Sequence, residues 1–180
     1  TQRSRYNTVK ALGDFQAGLR KFLAFVKSGY NKRINDSILS EIHKIEDDHQ
    51  LTSTERTQII QSRIGQGVFR NKLVQYWNGC SVSGCSFLPV LVASHIRPWY
   101  VSDNEQRLDM YNGLLLQPNL DKLFDQGYIT FDIQGKILCS HLLDLNDRNL
   151  LGIDNNMHLL KVDDMHIKYL MYHQENCYIG

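Results

Sequence analysis

Between Val9 and Val26 the apolar residues Val9, Leu12, Phe15, Leu19, Phe22, Leu23 and Val26 recur at steps of three and four. That is the period of an amphipathic helix, and Lys10, Arg20, Lys21 and Lys27 fall largely between the apolar positions. Ser28-Gly29 ends the run. A second, short helix is expected to start near Asp36 or Ser37 and to carry Ile38, Leu39, Ile42 and Ile45 on one side. A third opens on a capping box, Thr52 to Glu55, ahead of Ile59 and Ile60, where the threonine oxygen and the glutamate satisfy free backbone N–H groups. A fourth is expected over Gln66 to Trp77, with Val68, Phe69, Leu73, Tyr76 and Trp77 apolar, stopping at Asn78-Gly79.

After Gly79 the pattern changes. From Cys80 to His95 the residues are short, β-prone and turn-rich, which predicts a hairpin or an irregular strand pair. Further strands are expected over Tyr128 to Phe131 and Lys136 to Cys139, with a turn at Gln134-Gly135, and a short helix over Asn119 to Asp125 precedes them. Leu114, Leu115, Leu116, Leu123 and Phe124 read as core. The expectation is an α+β fold divided into a helical region over 1–62, for recognition or dimerisation, and a second domain over 63–180. No internal repeat or low-complexity segment interrupts it.

Composition allows this and narrows the class. A chain of 180 residues with 42% hydrophobic content can build a core. No stretch approaches the roughly 18 uninterrupted apolar residues a membrane helix needs. The first thirty residues are broken by Arg3, Arg5, Lys10, Asp14, Arg20 and Lys21, so a soluble chain without signal peptide or membrane partner is expected. Four unevenly spaced cysteines (Cys80, Cys85, Cys139, Cys177) favour reduced thiols in the cytoplasm. Cys80 and Cys85 lack the second close pair a structural zinc site would need, so structural Zn²⁺ is not expected. Beginning at Thr1 rather than Met, the chain is open to being a piece of something longer. The net charge of +1 conceals blocks: residues 1–40, 41–55, 56–102 and 103–180 carry +6, −4, +5 and −6. Basic blocks beside acidic ones suit a protein that meets phosphate on one face and holds a cation on another.

The candidate chemistry begins at Ala93-Ser94-His95-Ile96-Arg97-Pro98-Trp99, where a histidine ends an apolar strand just before a proline that forces the chain out of a sheet. Seventeen residues on comes Asn112-Gly113-Leu114-Leu115-Leu116, and nine further on Asp121, followed by Leu123-Phe124-Asp125-Gln126-Gly127. Asp121 and Asp125 are four apart, so on a helix their carboxylates share a face and offer oxygen ligands to Mg²⁺ or Mn²⁺. Arg97 and Arg70 are candidates for bidentate contacts to phosphate.

This order of residues resembles the ββα-metal motif of the HNH endonuclease family. The flanks from Arg63-Ile64-Gly65-Gln66 through Phe69-Arg70, and the tail Tyr169-Leu170-Met171-Tyr172-His173, are similar to bacterial restriction-type members. The resemblance implies a metal-dependent endonuclease acting on double-stranded DNA in a restriction or defence setting. It implies His95 as general base, Asn112 as the residue that orients it, and Asp121 at the helical metal position with Asp125 and Asn119 as further candidate ligands. Many such enzymes cut as dimers, which makes a homodimer an expectation to test. Two features depart from the family pattern: Ser94 precedes the histidine where an acid or histidine is common, and Asp121 stands where histidine or asparagine is usual. They motivate a rival reading, a DNA-binding module that no longer cuts. His173, with Tyr169 and Tyr172, reads as packing rather than a second site.

Overall fold

The computed structural model describes residues 40–48, 50 and 52–180. The helix expected over Val9 to Val26, and the start of the next one with Ile38 and Leu39, lie outside the described residues. The chain divides into two compact units, one ending at Val68 and the other running from Phe69 to Gly180.

In the first unit, residues 40–46 are helical and the capping box forms as its chemistry demands. Glu55 accepts from the Thr52 N–H at 2.8 Å, and the Glu55 N–H donates to the Thr52 hydroxyl at 3.3 Å. Ile42 and Ile60 are buried together, with Ile45, Ile64 and Val68 packed against them. The helix that follows, α1 (Ser53–Trp77), is continuous. The two helices expected over this stretch are therefore one. Gly65 and Gly67 each cost only about 1 kcal/mol relative to alanine, no proline intervenes, and apolar residues on both sides of the glycines are buried.

In the second unit α1 ends at Asn78, whose φ of 55° is left-handed, as the Asn78-Gly79 pair predicts. The segment from Cys80 to His95 is not a hairpin. Cys80 to Cys85 is a backbone-closed turn, with Cys80 N–H to Cys85 O and Gly84 N–H to Cys80 O both at 2.9 Å. Leu88–Val90 is a single 3₁₀ turn, and only Val92–His95 is a strand, β1. Its partner is β2 (Gly113–Leu116), antiparallel, with Val92 opposite Leu116 and His95 opposite Gly113. Every β2 residue is buried, which explains an unbroken Leu-Leu-Leu run where a half-exposed strand would alternate.

Gly113 lets α1 lie against this pair. A Cβ there would stand 2.5 Å from the Phe69 ring and 2.7 Å from a Leu73 methyl. Trp77 fixes the same crossing by donating its indole N–H to Gly113 O at 3.0 Å.

Between the paired strands lies a five-residue helix, α2 (Asn104–Leu108), closed by a second capping box from Asp103 and Gln106. After β2 comes α3 (Pro118–Asp125), then the hairpin of β3 (Ile129–Phe131) and β4 (Ile137–Cys139) around Gly135, as expected. Two helices complete the unit, α4 (Leu145–Leu150) and α5 (Asp164–Asn176). The fold is α+β. Among the described residues no helix is long and apolar enough to cross a membrane.

Candidate active site

His95 ends β1, and its ring is fixed on three sides. The Phe69 ring from α1 stacks on it at 3.8 Å and 9°, and Trp99 meets it edge-on at 5.4 Å. Its Nε2 lies 3.0 Å from the Arg107 carbonyl oxygen. A carbonyl can only accept, so Nε2 carries the proton and the neutral ring keeps its lone pair on Nδ1. Burial lowers the His95 pKa below that of an ordinary histidine. The carbonyl hydrogen bond opposes this shift, and the positive charge of Arg107 adds to it. Near neutral pH the ring is therefore an unprotonated base.

Asn112 is wholly buried and uses both ends of its amide. Oδ1 accepts the Arg97 N–H at 2.7 Å, while Nδ2 donates to Arg97 O at 3.3 Å and Gln106 O at 3.0 Å. Turning the amide over would set its oxygen against two carbonyl oxygens, so the partners fix its orientation. Asn112 thus ties the chain leaving β1 to the end of α2. The last carbonyls of a helix have no partner within it, and here side chains fill them in succession. Gln106 O accepts from Asn112, Arg107 O from His95, and Leu108 O from Lys72 at 2.7 Å.

Asp121 is half-buried in α3, where the side chain of Ser94 works against burial and lowers its pKa. Successive strand residues face opposite sides, so Ser94 turns to α3 while His95 turns to Phe69. The structure therefore brings His95 together with Asn112 through α2, and joins Asp121 to them only across β1. Burial raises the Asp121 pKa, and the charge of Asp125 one turn later raises it further. Asp125 is exposed and accepts from the Gln126 amide at 3.1 Å. Asn119 is not gathered with them: about 200° around the helix from Asp121, it donates to Leu151 O at 2.7 Å.

Among the described residues no group of three or more His, Cys, Asp or Glu side chains converges as a ready-made metal cage. The Asp121–Asp125 pair does fit the small protein share of a Mg²⁺ site, which takes one or two carboxylates and leaves the other positions to water and phosphate. Their mutual repulsion is the kind a cation relieves.

Residues 80–132 match the family model for HNH endonuclease. This segment resembles an HNH domain. His95, Asn112, Asp121 and Asp125 all fall inside the match, and the family it points to is one of nucleases that generally use a divalent metal and act on DNA. No curated protein matches the chain.

Outside the match, α1 contributes to the same compact unit in two ways: Phe69 stacks on the histidine, and Arg70 holds the chain entering β1. Both terminal nitrogens of Arg70 are engaged, donating to Leu91 O at 2.6 Å and Leu88 O at 2.7 Å, and burial lowers its pKa. Arg97 is half-buried, with its guanidinium 4.3 Å from the Tyr172 ring centre and one nitrogen donating to Val101 O at 3.3 Å. Nothing in the sequence pattern marks Phe69, Trp99, Gln106 or Arg107 as parts of the site. Gln106 and Arg107 act on Asn112 and His95 through main-chain carbonyls, which leave no residue signature, although Asp103 to Gln106 is a legible capping box.

Proposed function

We propose that the chain is a metal-dependent DNA endonuclease in which His95 is the general base. The observation that carries this reading is the fixed tautomer of His95: the Arg107 carbonyl holds the proton on Nε2, and Nδ1 is left as the basic atom. Nδ1 takes a proton from a water attacking the scissile phosphorus. Asn112 ties the Arg97 peptide to the Gln106 carbonyl, and the next carbonyl, that of Arg107, meets the imidazole. Asp121, with Asp125 beside it, would hold a single Mg²⁺ or Mn²⁺, and because Asp121 lies across β1 from His95 the scissile phosphate would have to reach around the end of that strand for the ion to stabilise charge on the phosphorane and on the leaving 3′ oxygen. In this reading the substrate is double-stranded DNA and the setting is restriction or defence, as the resemblance of the sequence implies.

The test is nicking of supercoiled plasmid with Mg²⁺ or Mn²⁺. The parent is expected to nick, and His95→Ala to lose at least about a hundredfold in rate, the lower range for losing a positioned base. If the parent does not nick and His95→Ala behaves as the parent does, the chain is instead a DNA-binding module on a nuclease fold. The half-burial of Asp121 is the observation that favours this second reading, because burial raises its pKa and a protonated carboxyl is a weak metal ligand.

A further inference from the structure

Arg107 serves the site with its carbonyl, but its side chain is held just as deliberately. Nε donates to Trp99 O at 3.0 Å, Nη1 donates to Asn104 Oδ1 at 3.2 Å, and the guanidinium lies 4.9 Å from the centre of the Trp99 ring. Trp99 is the residue whose edge meets His95. The guanidinium is thus mounted on one face of an indole whose ring contacts the candidate base. Among the described residues Nη2 has no hydrogen-bond partner, and Arg107 enters none of the ion pairs, which are His43–Glu46, Arg63–Glu41 and Lys168–Asp109. Asp103, four residues away, is committed to capping α2.

A planar cation fixed by neutral acceptors and an aromatic face keeps its full charge and at least two donors for an anion. Arg97 and Arg70 differ. Arg97 lies against Tyr172 with its Nε buried and unpartnered, and Arg70 is tied down by two carbonyls.

We propose that the Arg107 guanidinium is a substrate-binding group of this site, donating through Nη2 to a backbone phosphate of the nucleic acid beside His95, with Trp99 as its positioning residue. This rests on the nuclease reading above, and the two are separable by experiment. The measurement is fluorescence anisotropy of a labelled DNA duplex in EDTA, repeated over a salt series, for the parent, Arg107→Gln, Arg107→Ala and Arg107→Lys. Nicking of plasmid in Mg²⁺ is measured alongside.

Removing one phosphate contact weakens binding roughly tenfold and makes the slope of log affinity against log salt shallower by about 0.9. Arg107→Gln and Arg107→Ala are expected to show both effects, and Arg107→Lys to keep the parent slope. Loss of stability alone would not change that slope. Should Arg107→Ala fail to fold, Arg107→Gln still decides, because its amide can donate to Trp99 O. A slope equal to the parent's in Arg107→Gln overturns the proposal even if the parent nicks DNA. A shallower slope in Arg107→Gln, together with a parent that never nicks, keeps the phosphate contact and removes the nuclease reading. A parent that binds no duplex overturns both.

Discussion

His95 and His173 are each stacked on a phenylalanine at 3.8 Å, and what their nitrogens touch separates a base from a core residue. His173 uses both: Nε2 donates to Phe124 O at 3.1 Å, and Nδ1 accepts the Thr130 hydroxyl at 2.8 Å. Burial pushes its pKa down to about 4 from an ordinary 6.5. The unfolded chain therefore binds a proton that the folded one refuses between these values. Stability is at its full value above about 6.5 and is expected to fall by about 1.4 kcal/mol per pH unit as pH drops towards 4. Urea midpoints that stay flat from pH 7 to pH 5 would contradict this. His95 has one occupied nitrogen, and its lowered pKa predicts a cleavage rate that holds below pH 6.5 before its acid limb appears. Initial nicking rates across pH check that, and a limb above 6.5 counts against it. For Asn112→Ala, three half-buried main-chain partners lose their hydrogen bonds, so a loss of about 3 kcal/mol is expected by thermal melting. Because the Gln106–Arg107 peptides then drift, cleavage should fall by about a hundredfold. The order His95, Asn112, Asp121 was legible in the sequence because each sits in its own recognisable run. The Arg107 carbonyl was not, since every residue has one.

At the scale of elements, what was legible is what neighbours decide. The Thr52–Glu55 box, the stop at Asn78-Gly79, the Gly135 turn and the helix before Asp125 are local chemistry, and all four form. The errors were long-range. β1 finds its partner beyond α2 instead of within Cys80 to His95, and α1 runs unbroken through the stretch whose pattern predicts two helices. Gly113 connects these facts to the site. Gly113→Ala puts a methyl into the Phe69 ring, so α1 and β2 must move apart and the stack on His95 must loosen. Overpacking of this kind costs about 1–3 kcal/mol. The variant should melt lower and nick plasmid more slowly even where it remains folded. Normal nicking by the folded variant would mean that the stack on Phe69 does not matter to the base.

For the whole molecule, α+β was readable from the change of pattern after Gly79. The C-terminal helix α5 was visible only as a likeness in its last residues, although it buries His166, Tyr169, Leu170 and His173. Its apolar positions are mixed with histidines and tyrosines, so the helical period is weak there. The Cys80 to Cys85 turn is closed by main-chain hydrogen bonds, and all four cysteines are unpaired thiols. Chelation is therefore expected to abolish nicking and leave the melting temperature unchanged. A drop in melting temperature with EDTA would reveal an ion that the fold itself requires.

The three carbonyls at the end of α2 carry one more implication, for how such a protein changes over time. His95, Asn112 and Lys72 are gripped by main chain at positions 106 to 108, so the grip does not depend on which side chains grow from Arg107 and Leu108. Those side chains can be exchanged, and with them the groups offered to a substrate, while the imidazole keeps its proton on Nε2. Selection can thus alter what the site touches without rebuilding the base.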